Sequence, residues 1–274
     1  MSKRSMKERA FIKKTREFTK KLHIPVVKNL LVFDELDSTN STAKELARAG
    51  AEEGTIVIAR TQNQGRGRFD RIWQSPEGGI YLSFILRPRI SAEKTSLLPF
   101  VAALALTKTI ESYGLHATIK WPNDVRVNGK KIAGILLESE IIGQAINYVV
   151  VGIGMNLNID ITHFSMDIQP RSTSMIHELG NPVDYHEFLR KFFIQFGSFY
   201  KLFIEQQYDR IIDEWKTHTD TLGKTIRVQT STETIQGIAS DIDLSGFLLL
   251  RTERGEIKKI MSGDCLYFDE LYHT

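Results

Sequence analysis

The spacing of apolar residues divides the chain into segments of two different periods. Leu30-Leu31-Val32-Phe33 is a short apolar run and predicts a strand, as do Gly54-Thr55-Ile56-Val57-Ile58-Ala59 and Ile80-Tyr81-Leu82-Ser83-Phe84-Ile85-Leu86. Between the first two, Asp37-Ser38-Thr39-Asn40-Ser41-Thr42 supplies helix-capping chemistry ahead of Ala43-Lys44-Glu45-Leu46-Ala47-Arg48. Residues 96–113 are rich in Ala and Leu and predict a helix that Gly114 stops. Residues 117–127 predict a strand around Trp121-Pro122-Asn123-Asp124, with Asn128-Gly129 as a hairpin turn and residues 131–140 as the returning strand. Residues 148–157 are nearly all apolar and predict a buried strand. Residues 161–183 have no period and read as an irregular connector. Residues 184–216 predict one long helical stretch, its Phe188, Phe192, Phe193, Phe196, Phe199, Tyr200 and Phe203 forming a core-packing stripe. After Thr221-Leu222-Gly223 the runs shorten to strands at 224–229, 234–242, 247–251, 256–260 and 264–268, a pattern that predicts a small barrel. At the other end, residues 1–23 hold Phe11, Ile12 and Phe18 as sparse apolar points in a basic, helical extension that Pro25 ends.

Composition narrows the class. A chain of 274 residues suits one large domain and a small one, and 42% hydrophobic with 25% charged residues is ordinary for a globular protein. No apolar run reaches the roughly 18 residues of a membrane helix. A single cysteine, Cys265, excludes an internal disulfide framework and suggests a reducing compartment; it lies in a strand-like run and reads as a buried structural thiol. The N-terminus lacks an apolar signal core, and the expected location is cytoplasmic. Residues 1–21 carry nine Lys and Arg against two acids, so this +7 segment leaves the rest of a +3 chain at −4. Such a tail reads as a solvated helix or as a nucleic-acid contact, and the first is preferred. The seven histidines are scattered without metal-ligand spacing, so no structural zinc site is expected.

Candidate chemistry is concentrated in Gly65-Arg66-Gly67-Arg68-Phe69-Asp70-Arg71 and Trp73. Alternate glycines let backbone approach a ligand closely, and three arginines offer cationic forks for phosphate or carboxylate oxygens. Alone, this loop reads equally as a mobile basic turn, and neither a P-loop nor a dinucleotide fingerprint fits it. It has company, however. Ser38-Thr39-Asn40 and Gln62 precede it; Lys120-Trp121-Pro122-Asn123-Asp124, Lys130-Lys131-Ile132-Ala133-Gly134-Ile135-Leu136 and Gly152-Ile153-Gly154-Met155-Asn156 follow. In that order, from about Phe33 to Leu157, these blocks resemble the biotin protein ligases, with a weaker echo in the last fifty residues or so. The family loop usually has Gly where this chain has Asp70, which sets a carboxylate beside an anion site.

The resemblance implies an α+β fold: a mixed β-sheet flanked by helices, like the catalytic domain of class II aminoacyl-tRNA synthetases, followed by a small SH3-like β-barrel. The corresponding divisions are 1–29 for the extension, 30–221 for the catalytic domain and 222–274 for the C-terminal domain. It also implies an ATP-dependent ligase that makes biotinyl-5′-AMP and transfers biotin to a lysine of a biotin carboxyl carrier protein, with Mg2+ as companion of the nucleotide. By the family's pattern, Ser38, Thr39, Asn40 and Gln62 meet the ureido end of biotin. Gly65, Gly67 and Gly134 permit close backbone approach. Arg66, Arg68 and Lys131 offset the converging anions, aided by Lys120 and Arg71. Trp73 stacks on adenine, Asn123 and Asn156 hold the nucleotide, and Asp124 orients the incoming lysine or the metal. The extension is too short for the winged helix that some of these ligases use as repressors, which argues against specific DNA binding. Monomer and homodimer both stay open. Two rivals remain: a lipoyl or octanoyl ligase on the same scaffold, and a regulator that senses biotinyl-adenylate while its basic tail contacts DNA.

Overall fold

The apolar runs of the first 155 residues assemble into one sheet in a computed structural model that describes residues 3–19, 24–143 and 145–268. Its strands are β1 (Asn29–Leu36), β2 (Thr55–Gln62), β3 (Ile80–Leu86), β4 (Ala117–Lys120), β5 (Asp124–Val127), β6 (Lys130–Ile142) and β7 (Ala145–Met155), in the order β1-β2-β3-β7-β6-β5-β4. Only β1 and β2 run parallel; every other pairing in this sheet is antiparallel. The helices are α1 (Lys3–Thr19), α2 (Thr39–Arg48), α3 (Leu98–Glu111), α4 (Met175–Leu179), α5 (Tyr185–Ile204) and α6 (Tyr208–His218). The fold is therefore α+β, a large mixed sheet flanked by helices.

Strand parity separates two faces. On the back, Leu82, Phe84 and Leu86 join a core with α3 and α5, and Phe84 stacks on Phe196 at 4.2 Å between ring centroids. On the front, α2 rests its Ala43 and Ala47 on Val57, Ile85, Tyr148 and Val150. It covers only part of that face, and the remainder is where the candidate site lies. A second, antiparallel sheet of β8 (Thr225–Gln229), β9 (Thr234–Ile242), β10 (Leu248–Arg251), β11 (Ile257–Ile260) and β12 (Asp264–Tyr267) has the order β11-β10-β9-β8-β12. It is held to the first where the buried Trp121 indole donates to Gly246 O at 3.1 Å and the Trp121 amide donates to Thr221 Oγ1 at 2.9 Å.

Four expectations change. Residues 117–127 are not one strand: β4 and β5 are separate and pair with each other, so Lys120 faces Asp124 across a hairpin instead of sharing its strand. Pro122 has no amide hydrogen to give a ladder, and the chain turns there. The aromatic stripe belongs to α5, and the helical stretch breaks before α6. Gln206 takes φ +58, the Gln206 amide returns to Phe203 O and the Gln207 amide to Leu202 O, a Schellman ending built without glycine. The connector holds α4 and a stretch that docks on β6, with the Thr173 amide donating to Lys131 O at 2.9 Å. The C-terminal half of the N-terminal helix is not wholly solvated: Phe11 packs edge-on to Tyr185 and Thr15 meets His186 at 3.1 Å. Residues 1, 2 and 20–23 of the expected extension, and 269–274 of the expected C-terminal domain, lie outside the described residues.

Candidate functional site

The floor of the site is a row of cross-strand partners on the front face, Tyr81–Gly154–Gly134–Asp124, with Ser83–Gly152–Leu136 beside it. Three of these seven positions are glycine, so the sheet is bare and other groups lie directly on its backbone. A Cβ on Gly154 would come 2.5 Å from the Trp73 indole, and one on Gly152 would overlap the Asn40 amide. Lys131 joins this face by an irregularity. Residues 131 and 134 are three apart and would point to opposite faces of a regular strand. The β5–β6 register shifts by one between Val125 and Arg126, and the extra residue re-aims Lys131. Its stem then runs over Gly134, where a Cβ would lie 3.2 Å from Lys131 Cε, and its ammonium stands 2.7 Å from Asp124 Oδ1 and 5.3 Å from the centre of the Trp73 ring.

The glycine–arginine loop is an ordered, narrow hairpin. The Trp73 amide donates to Gly65 O at 2.8 Å and the Gly67 amide to Arg71 O at 2.7 Å. Gly65 is required, since a side chain there would strike Trp73 O and Ser75 Oγ. Phe69 and Asp70 at its tip have φ +54 and +56, the region where Gly is favoured, and both are exposed. Arg68 reaches back to the body: Nη1 donates to Asn123 Oδ1 at 3.3 Å and Nη2 to Ser262 Oγ at 3.0 Å. Burial lowers the Arg68 guanidinium from its ordinary pKa, against the attraction of Asp124 and Asp264. Asn123 also donates to Ile135 O at 2.7 Å, so its amide is fixed for Arg68. Arg68 and Lys131, from a loop and a strand, thus meet at the dipeptide Asn123-Asp124.

A second polar cluster starts at α2. Ser38 is its N-cap, accepting from the Ser41 amide at 3.5 Å, which leaves Thr39 and Asn40 for other work. The Thr39 amide and hydroxyl donate to Gln62 Oε1 at 2.8 and 3.1 Å, Gln62 Nε2 donates to Ser75 Oγ at 2.9 Å, and Ser75 donates to Trp73 O at 2.9 Å. The Ser83 hydroxyl donates to Asn40 Oδ1 at 2.6 Å, and Asn40 Nδ2 donates to Glu138 Oε2 at 2.9 Å. Arg66 belongs to this cluster, with Nη1 3.5 Å from Glu138 Oε1. Burial pushes the Glu138 carboxyl up, but hydrogen bonds from Lys44 and Asn40 outweigh it and hold the group below its ordinary value.

Ser38, Thr39, Asn40, Gln62, Gly65 and Arg66 therefore belong to the α2 cluster, and Arg68, Asn123, Asp124, Lys131 and Gly134 to the cluster at the β5–β6 hairpin. Asn156 lies at the end of this floor, its Nδ2 donating to Thr173 O at 2.9 Å. Asn156 Oδ1 and Trp73 Nε1 are buried with no hydrogen-bond partner among the described residues. Lys120 and Arg71 turn toward the second sheet: the Lys120 ammonium is 4.3 Å from the Tyr267 ring, and Arg71 forms a two-pronged pair with Asp264. Gly67 lies in the loop hairpin, where a Cβ would make ordinary contact with Arg71 at 3.4 Å and beyond. Sequence reasoning missed Glu138, Lys44, Ser83, Ser75 and Asp264. Ser83 carried a signal, a hydroxyl inside an otherwise apolar run; Glu138 carried a weaker one, four residues from Gly134 and hence on its face. No group of three or more His, Cys, Asp or Glu suited to a metal occurs among the described residues.

Known proteins resemble this chain over most of its length. Residues 32–156 match the Biotin/lipoate A/B protein ligase family, and residues 221–266 match the Biotin protein ligase C terminal domain. The chain is 38% identical to the bifunctional ligase/repressor BirA of Bacillus subtilis over 238 residues, 86% of this chain and 73% of that protein. It is 38% identical to the biotin–[acetyl-CoA-carboxylase] ligase of Paracoccus denitrificans over 228 residues, 80% of this chain and 92% of that one. Among solved structures, the biotin protein ligase of Aquifex aeolicus in complex with biotin and ATP superposes with a TM-score of 0.74 at 30% identity, covering 87% of this chain and 97% of that one. The extent of these matches, over both the sheet that carries the site and the second sheet, means that the chain belongs to the biotin protein ligase family.

Proposed function

We propose that the protein activates biotin with ATP as biotinyl-5′-AMP and transfers the biotinyl group to a lysine of a biotin carboxyl carrier protein. The observation that carries this reading is the meeting of Arg68 and Lys131 at Asn123-Asp124 above a glycine floor. In the first step a carboxylate oxygen of biotin attacks the α-phosphorus of ATP, and the bond to the β-phosphate oxygen breaks as pyrophosphate leaves. Two anions approach each other, so fixed cations held out of bulk water lower the barrier. Lys131 bridges carboxylate and α-phosphate oxygens, and Arg68 meets the phosphate from the loop. In the second step the amine of the carrier lysine attacks the mixed anhydride, forming an amide and releasing AMP. Asp124, already beside an ammonium at 2.7 Å, orients that incoming amine.

Thr39, Asn40 and Gln62 suit the neutral, hydrogen-bonding ureido ring, with Ser38 holding the helix end that presents them and Arg66 closing over the carboxylate arm. Gly65, Gly67 and Gly134 let backbone come close to the ligand. Trp73 stacks with the adenine side, and Asn123 and Asn156 give amides to the nucleotide. Lys120, over the Tyr267 ring, and Arg71, paired with Asp264, line the positive rim on the side of the second sheet. Magnesium fits as a partner of the phosphates: no protein cage occurs among the described residues, so nucleotide oxygens would hold the ion, with Asp124 as its protein ligand where that carboxylate does not serve the amine, and the ion would neutralise phosphate charge. We read residues 30–221 as a catalytic domain of the class II synthetase type, 222–274 as an SH3-like domain and 1–29 as an extension. Mass spectrometry of a carrier domain incubated with the protein, ATP and biotin tests the proposal. A single addition of a biotinyl group, absent without ATP and unaffected by excess lipoate, is the expected result; addition of a lipoyl group instead overturns it.

A further inference from the structure

Glu138 serves three partners with two oxygens. Lys44 Nζ donates to Oε1 at 2.6 Å and the Asn40 amide to Oε2 at 2.9 Å, while Arg66 Nη1 stands 3.5 Å from Oε1. The first two distances are those of good hydrogen bonds; the third is longer than a charge-assisted one. The partners also differ in setting. Asn40 and Lys44 ride on α2, whose Ala43 and Ala47 are packed on the sheet, whereas Arg66 rides on the loop with 42% of its side chain exposed. The carboxylate is thus neutralised by a fixed cation and attended by a movable one. Taking the last cation from a largely buried carboxylate is costly. With Lys44 in place that cost does not arise, and Arg66 is free to leave for another anion.

We propose that Glu138 and Lys44 are positioning residues that park Arg66 beside the site and set how readily it passes to the carboxylate or phosphate oxygens of the ligand. The identity of that ligand rests on the biotin-activating reading; the exchange of partners does not. Two measurements on the protein decide it: hydrogen–deuterium exchange of residues 64–73 without ligand, and dissociation of biotinyl-adenylate formed in place from biotin and ATP. Lys44→Met leaves Arg66 as the cation of Glu138. Loop exchange slows, and the adenylate departs about threefold faster, the scale of a partly exposed ion pair. Glu138→Gln keeps an acceptor for Asn40 and removes the charge. Loop exchange quickens, and the adenylate departs more slowly than from the unaltered protein. The double variant behaves as Glu138→Gln, because Lys44 acts only through that carboxylate. Were Glu138 a simple tie between α2 and β6, both single variants would shift both readouts in the same direction. Shifts of the same sign, or no shift in loop exchange, overturn the proposal. Absence of any adenylate in the unaltered protein would overturn the biotin reading, and loop exchange would still decide the role of Glu138.

Discussion

Lys131 is presented to the site by one unpaired residue in a strand pairing, and the chemistry proposed here depends on it. Its ammonium is the cation that stands closest to Asp124 and Trp73, so Lys131→Ala should lower pyrophosphate release from biotin and ATP by about 100- to 1,000-fold, the cost of removing one preorganised charge stabiliser. A near-normal rate with an unchanged melting temperature would remove Lys131 from the mechanism. The floor is equally sensitive. Gly152 has no room for a Cβ because the Asn40 amide rests on it. Gly152→Ala should destabilise the fold by about 1–3 kcal/mol through overpacking and push Asn40 out of line. Calorimetric titration with biotin should then show weaker binding than the unaltered protein. Glu138 makes a pH prediction of definite sign. Its folded pKa is lowered, so its contribution is present above the unfolded carboxyl value of about 4.3 and is lost as pH falls through the folded one. The stability gap between Glu138→Gln and the unaltered protein should be widest near neutrality and close on acidification, as followed by urea unfolding at several pH values.

At the scale of elements, the loop behaves as a small hairpin pinned at two points to the second sheet. Arg71 pairs with Asp264 on β12, and Arg68 reaches Ser262 just before it. The pair is a forked arginine–carboxylate contact, so charge and direction both count, and bonding to Asp264 raises the Arg71 guanidinium above its ordinary pKa. Asp264→Asn should speed hydrogen–deuterium exchange across residues 66–72 and leave exchange in α2 unchanged. Equal loop exchange in the two proteins would show that the tether does not hold the loop. The elements themselves were largely legible, because the apolar runs and their turns carry periods of two and 3.6 that backbone geometry imposes. The exceptions share a cause. The β4–β5 turn at Pro122, the Schellman ending after Ile204 and the bulge at Ile132 are all details of backbone geometry between neighbouring residues that apolar periodicity does not encode, and local composition gives no sign of the last two.

For the whole molecule, the two sheets are joined by buried groups, so they should unfold together. The Trp121 indole serves Gly246 O, and Gly246 lies against Leu97 and Phe100 with φ +78. Trp121→Phe leaves that carbonyl without its donor at a cost of about 1–3 kcal/mol. It should lower one shared transition, seen alike by far-ultraviolet circular dichroism and by the fluorescence of Trp73 and Trp215. Two separated transitions would mean that the sheets are independent. The site shows the same division between near and far information. Sequence alone determined most of the strands, a helix cap among Ser38, Thr39 and Asn40, the glycine–arginine loop and the identity of the cations, because periodicity, capping and side-chain chemistry are local properties of a chain. Tertiary structure decided which cation meets which anion. Arg66 goes to Glu138, Arg71 to Asp264, and Arg68 with Lys131 to Asn123-Asp124. Those choices depend on a one-residue shift of register, which strand periodicity does not encode, and on glycine-sized gaps over the sheet, which are filled only when segments far apart in sequence, such as Asn40 and Gly152, come into contact.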